Sequence, residues 1–309
     1  MRISTLIPLA AAVPPALSAR QQPPFTNTTT LPTHFAMLLF PHFQALDVFG
    51  PLDVLNTLSM LYSNQTSMTL TLLSRTMDPV GTNIKGMHGA GNFGEQVLPT
   101  STFAHVLGKT KTPPESAAKA HAGEQYSYGP PGHDEWGNGH ARRHEGHDPD
   151  TTPPSAPATN HSTPMSDIEV LLVPGGGGTR QNMTEEIAFV KEIYPKLKYI
   201  ISICTGATLL SRAGILNHRR ATTNKRAWAW ATTVAGTNTT DWVPNARWVS
   251  DGNVFTSSGI SAGIDVTLAW VGHVYGEPVA DYLADSMEIL PSKSKTSTIP
   301  AQTRFLSVY

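Results

Sequence analysis

The sequence is nearly devoid of cysteine: Cys204 is the only one in 309 residues. One thiol excludes an intrachain disulfide and excludes zinc sites built from paired cysteines. The fold must therefore stand on its packed core. Charge is scarce as well, with Asp, Glu, Lys and Arg supplying 15% of positions and a formal net charge of −1. No long basic run offers the phosphate-neutralising patch that nucleic acids require, so no nucleic-acid partner is expected. Beyond Leu17 no apolar run approaches the roughly 20 residues of a membrane-spanning helix, so no membrane partner is expected either.

What is abundant is glycine and proline, 25 of each. Much of this bias falls in residues 108–166, which carry Thr112-Pro113-Pro114, Gly129-Pro130-Pro131-Gly132 and Thr151-Thr152-Pro153-Pro154 and almost no aliphatic side chains. Such a segment buries too little apolar surface to offset its ordering entropy, and it reads as a disordered low-complexity insertion. Its histidines (His121, His133, His140, His144, His147 and His161) could bind metal weakly, but a solvated linker is the favoured reading because no scaffold fixes them. Neither a metal nor an organic cofactor is expected.

Residues 1–19 begin with Met1-Arg2, continue apolar to Leu17 and end in the small residues Ser18-Ala19, the pattern of a secretory signal peptide. Pro8, Pro14 and Pro15 keep a disordered tail open as the alternative. Asn-x-Ser/Thr sequons at Asn27, Asn64, Asn160, Asn182 and Asn238 agree with a secreted glycoprotein, or with another compartment of the secretory pathway. A free thiol kept in that oxidising setting implies a chemical reason for it. Residues 20–33 read as a linker and 291–309 as a tail.

The remaining blocks, 34–107 and 167–290, alternate strand and helix patterns. His34 to Phe40, Glu169 to Val173 and Tyr199 to Ile203 are the continuous apolar runs of strands buried on both faces. Ser67 to Arg75 alternates as a further strand. Leu52, Val54, Leu55 and Leu58 mark one face of a helix, and Thr184 to Leu197 a second helix with Thr184 as its cap. Trp248 and Phe255 lie in a strand pair about the turn Asp251-Gly252-Asn253, and Ser261 to Leu290 is helical with a break at Gly276-Glu277-Pro278. This order indicates an α/β fold with a mainly parallel central sheet covered on both faces.

Cys204 stands where a buried strand gives way to a helix, and Gly206 and Ala207 leave room for a sharp turn. That is the context of a nucleophile elbow, with the helix N-terminus expected to favour thiolate; a buried inert thiol is the alternative. Gly175 to Gly178 form a second strand-to-loop junction at the same sheet edge, where free N–H groups could face a developing negative charge. Asp47 follows the first strand and reads either as an acid that shares a proton with the thiol or as a helix N-cap. Trp228, Trp230, Trp242 and Trp248 read as core or interface in preference to a substrate pocket.

Five segments, taken in order, resemble the DJ-1/PfpI superfamily (class I glutamine amidotransferase-like): Phe40 to Pro51, Val173 to Gly176, Ser202 to Ala207, Arg220 to Thr223 and Thr256 to Asp265. Asp at position 47 is similar to the isonitrile-hydratase-like branch. The resemblance implies a flavodoxin-like three-layer sandwich, a homodimer, and a small-molecule substrate. It also implies Cys204 as nucleophile, Asp47 as its acidic partner, and the N–H groups of Gly176 and Thr205 as oxyanion donors. The implied activity is isonitrile hydration through a Cys thioimidate. A glyoxalase, deglycase or amidase acting on a carbonyl, and a non-catalytic redox or stress protein, are the alternatives. Many members carry His after the Thr-Thr pair; here the position is Asn224, which cannot accept a proton near neutral pH.

Overall fold

The computed structural model describes residues 21–26, 30–83, 93–110, 167–234 and 236–292. The expected signal peptide, Asn27, Asn160, the histidine-rich tract and all but the first two residues of the expected tail lie outside the described residues.

Three strands form the centre: β1 (His34–Leu38), β6 (Val170–Val173) and β7 (Tyr199–Ser202). β1 pairs in parallel with β6 and with β2 (Thr69–Ser74), and β6 pairs in parallel with β7. β5 (Ser101–Thr102) closes one edge next to β2, while the hairpin of β10 (Trp248–Asp251) and β11 (Val254–Ser257) closes the other, with β11 parallel to β7. Counting β1, β2, β6, β7 and β11 as strands one to five, their spatial order is 2-1-3-4-5, the flavodoxin-like arrangement. Only β10 runs antiparallel within this seven-stranded sheet. Two short pairs stand apart, β3 (Val80–Gly81) with β4 (Gln96–Val97), and β8 (Arg220–Ala221) with β9 (Asp241–Trp242).

Continuous apolar strands need cover on both sides, and the helices supply it. The long helix α1 (Ala45–Leu61) packs on α6 (Ala262–Tyr275), which packs on α7 (Glu277–Ser286). α3 (Thr184–Ile193) packs on α4 (Ala207–Arg212). The smaller α2 (Phe103–Val106) and α5 (Trp228–Thr233) complete the helices among the described residues. Phe35, Leu38, Val170, Leu172, Ile200 and Trp270 are buried in one continuous core. Each such side chain contributes about 1.5–3 kcal/mol of transfer free energy.

Two local expectations are corrected. Thr184 is the first residue of α3, not its cap: its backbone N–H donates to Oδ1 of Asn182 at 3.1 Å. The helix also stops at Ile193, because Pro195 continues the chain only as a 3₁₀ turn over Tyr194–Lys196. Glu186 on α3 is fully buried and is neutralised by Arg75 at the end of β2, with Nε to Oε1 at 2.6 Å.

Candidate active site

The carboxyl ends of β1, β6 and β7 meet at one sheet edge, where the strand order reverses between β1 and β6. Open α/β sheets place their ligand crevices at such an edge. Cys204 leaves β7 with φ 58°, after Ile203 in extended conformation, and opens a 3₁₀ turn (Cys204–Gly206) that runs into α4. Two bonds hold this left-handed residue in place. Its N–H donates to the Ser258 carbonyl at 3.1 Å, and its carbonyl accepts from the Thr223 hydroxyl at 2.9 Å. The chain after β6 passes so close that a Cβ on Gly175 would meet Thr205 N at 2.5 Å and Cys204 Cβ at 2.8 Å. Only glycine fits there.

Asp47 is fully buried in the first turn of α1, where Gln44 occupies the cap position. The N-cap reading of Asp47 is therefore wrong, and the carboxyl is free to face the sheet edge. Its Oδ2 accepts from Gly175 N–H at 2.9 Å. Oδ1 is buried without a well-aligned donor, and the Cys204 thiol lies against the same carboxyl. Burial pushes the Asp47 carboxyl up to about 7, against the opposing pull of the Gly175 N–H and the thiol.

Around sulfur the donors are Asn224 Nδ2 at 3.0 Å and the backbone N–H groups of Ile260 and Thr205. Burial and the neighbouring Asp47 charge outweigh them, and the thiol is pushed up to about 12. The expected thiolate is thus not the resting form. A dipole effect of a few tenths to 1 kcal/mol cannot offset such desolvation, least of all at a 3₁₀ turn leading into a helix of six residues. The resting pair is a neutral thiol beside a carboxyl whose proton is exchangeable near neutral pH.

The structure brings all four site residues expected from sequence together, but in a different state from the one expected. Gly176 N–H donates to the Thr205 hydroxyl at 3.0 Å, and Thr205 N–H is directed at sulfur. Both expected oxyanion donors are engaged within the protein. Thr179 adds a hydroxyl 3.0 Å from that of Thr205. Asn224 is locked, since its Oδ1 accepts from Ala227 N–H at 2.9 Å.

Sequence reading missed Ile260 as a sulfur contact. Its signal was its place in the Thr256 to Asp265 segment, but only the φ of 47° aims its N–H at Cys204. It also missed Arg180, whose guanidinium lies 4.1 Å from the Trp230 ring centroid. Trp228 stacks edge-on against Trp242 at 6.2 Å and is core, as expected. Lys225 is buried beneath it, with Nζ 2.6 Å from the Thr222 hydroxyl and burial lowering its amine to about 8. Among the described residues no group of three His, Cys, Asp or Glu is arranged to hold a metal, and no helix is long and apolar enough to cross a membrane.

The sequence model of the DJ-1/PfpI family matches residues 158–272. Isonitrile hydratase of Pseudomonas putida is 34% identical over 136 residues, covering 43% of this chain and 57% of that enzyme. An uncharacterized protein of Methanocaldococcus jannaschii is 39% identical over 59 residues, which is 18% of this chain and 29% of that protein. The chain thus spans little more than half, or less, of the curated relatives it matches. Among solved structures, a THiJ/PfpI family protein from Pseudomonas syringae superposes with a TM-score of 0.56 at 20% identity, over 95% of this chain and 89% of that one. Drosophila melanogaster DJ-1beta gives 0.51 at 16% identity, over 84% of this chain and 100% of that one. At those identities the superpositions speak to fold. Sequence match and fold agree in what they resemble: the chain is similar to the DJ-1/PfpI family in sequence over residues 158–272 and in its flavodoxin-like fold.

Proposed function

We propose that the chain is a cysteine-dependent hydro-lyase that adds water to a small isonitrile. The observation that carries this reading is the Cys204 and Asp47 pair, a neutral thiol against a buried carboxyl with, among the described residues, an asparagine and no histidine bonded to the sulfur. Isonitrile addition needs one group that takes a proton from sulfur and returns it to carbon, and a carboxyl near neutral pKa can do both.

In the proposed sequence, the Asp47 carboxylate accepts the thiol proton as the Cys204 Sγ to carbon bond forms. The same proton passes to the isonitrile carbon, giving the thioimidate R–N=CH–S–Cys204. Water then adds to that carbon, its oxygen forming the new bond while nitrogen gains a proton. The C–S bond breaks, sulfur recovers its proton, and the N-substituted formamide leaves. Carbonyl chemistry of the glyoxalase, deglycase or amidase kind depends on free oxyanion donors, and here Gly176 and Thr205 have theirs engaged. That favours hydration.

The test is incubation of the purified chain with a panel of isonitriles, following formamide by NMR and the Cys204 adduct by intact mass. Formamide formation with an adduct of isonitrile mass supports the reading. Turnover of methylglyoxal with no isonitrile consumption overturns it in favour of carbonyl chemistry.

The exposed side chains of Leu46, Phe49 and Ile260 lie beside Asp47 and Cys204, and we infer that a second copy of the chain covers them in a homodimer. Light scattering that shows a monomer would remove that inference. We also retain secretion as a proposal; Asn64, Asn182 and Asn238 are exposed as glycan acceptors must be. A glycosidase-sensitive mass shift after expression through a eukaryotic secretory pathway is its test.

A further inference from the structure

We propose that Arg180, held over Trp230, is an anion-recognising residue of the Cys204 site, selecting substrates that carry a carboxylate or comparable small anionic group. The two residues come from a 3₁₀ turn and a helix, each tied by hydrogen bonds to the segment that carries the thiol. Arg180 ends the 3₁₀ turn Gly177–Arg180 after β6, one position beyond Thr179, whose hydroxyl lies 3.0 Å from that of Thr205. Trp230 stands on α5, whose start is tied to the sulfur through Asn224, bonded to Ala227 N–H on one side and to Cys204 Sγ on the other. The 4.1 Å contact therefore joins the two chain segments that hold Thr205 and Cys204 from either side.

Arg180 has no carboxylate partner among the described residues, in contrast to Arg75, Arg219 and Arg247, each of which has one. Burial depresses its guanidinium pKa and no anion offsets that cost. A guanidinium held over an aromatic face by its central carbon leaves N–H donors available at its rim, and such a fork can take a carboxylate with two bonds. The neighbouring cation Lys225 is buried, with its ammonium donating to the Thr222 hydroxyl and facing Trp228 at 4.8 Å. Since Asp47 repels anions from this edge, a cation is what an anionic substrate needs.

The inference rests on Cys204 being the reactive group, as proposed above, but not on which reaction it performs. It is tested by alkylation with iodoacetate and iodoacetamide, reagents of like size that differ in charge. Cys204 is the single thiol of the chain, so each mass gain reports that site. The ratio of the two rates is compared between wild type, Arg180→Gln and Arg180→Lys, with the melting temperature of each. A fall of the iodoacetate to iodoacetamide ratio by roughly three- to fivefold in Arg180→Gln is expected, with Arg180→Lys between the two. A second measurement uses wild type alone: benzoate is expected to slow iodoacetamide labelling more than benzamide does. An unchanged ratio in Arg180→Gln overturns the proposal and leaves the stack a structural clamp, whether or not melting shifts. Equal protection by benzoate and benzamide, or no labelling of wild type by either reagent, overturns it too. If isonitriles are not hydrated, the labelling ratio still decides this point.

Discussion

Asn224 holds the sulfur of Cys204 with an amide that can only give: Nδ2 donates to Sγ at 3.0 Å while Oδ1 is occupied by Ala227 N–H at 2.9 Å. A histidine here could take the thiol proton; an amide can only stabilise the charge that forms. The Asn224→Ala variant should label with iodoacetamide about tenfold more slowly at fixed pH, in line with the roughly 1.5–3 kcal/mol of a hydrogen bond to a charged group. A Cβ on Gly259 would meet Asn224 Nδ2 at 2.4 Å, so Gly259→Ala should slow labelling similarly. Equal rates in all three proteins would mean that the amide does nothing for the thiolate.

Replacement of either proton partner should stop the proposed reaction. Cys204→Ala removes the atom that bonds to carbon, and Asp47→Asn removes the group that moves the proton. Formamide production should fall by at least about a thousandfold in each, while circular dichroism stays unchanged. Substantial turnover in Asp47→Asn would reassign the proton transfer to another group.

The raised pKa of Asp47 has opposite effects on activity and on stability. As the base that receives the thiol proton, the carboxyl must be ionised, so kcat/KM should rise with pH to an inflection near 7. Stability runs the other way. The folded chain holds this proton more tightly than the unfolded chain, where the ordinary value is 3.8. Stability from the protonated carboxyl is thus fully present below about pH 4 and lost as pH rises towards 7, by at most about 4 kcal/mol. Melting temperatures across that window should decline in wild type relative to Asp47→Asn. Parallel curves for the two proteins would contradict the assignment.

Gly175 is set by space, not by turn geometry. Its missing Cβ is the gap through which the loop after β6 approaches Cys204 and Thr205. Gly175→Ala should lower stability by about 1–3 kcal/mol and disturb the Asp47 contact made by its own N–H. Chemical denaturation and the pH inflection together check this; an unshifted midpoint would show that the loop can yield.

The strands of this fold were readable because burial on both faces leaves uninterrupted apolar runs, as at Met37 to Phe40 and Val170 to Val173. Cys204 was readable because a strand, a reactive residue and small neighbours fall in immediate succession. The small strands β3, β4, β5, β8 and β9 were not, since two residues carry no periodicity. The protonation state of Cys204 was also hidden. It depends on Asp47, distant in sequence, and on burial by chain segments that no local pattern reveals. The stack of Arg180 on Trp230 was invisible for a similar reason, because each residue taken alone reads as an ordinary surface or core position.

Three residues other than glycine adopt left-handed backbone angles around this edge: His42 at 66°, Cys204 at 58° and Ile260 at 47°. Each conformation is disfavoured by about 1–2 kcal/mol for an L-residue. Random variation that introduces glycine at Cys204 would relieve that strain and remove the reactive sulfur in the same step. Selecting descendants of this chain for heat resistance alone would therefore enrich inactive proteins, and a thermostabilised form must be sought by substitutions away from the sheet edge.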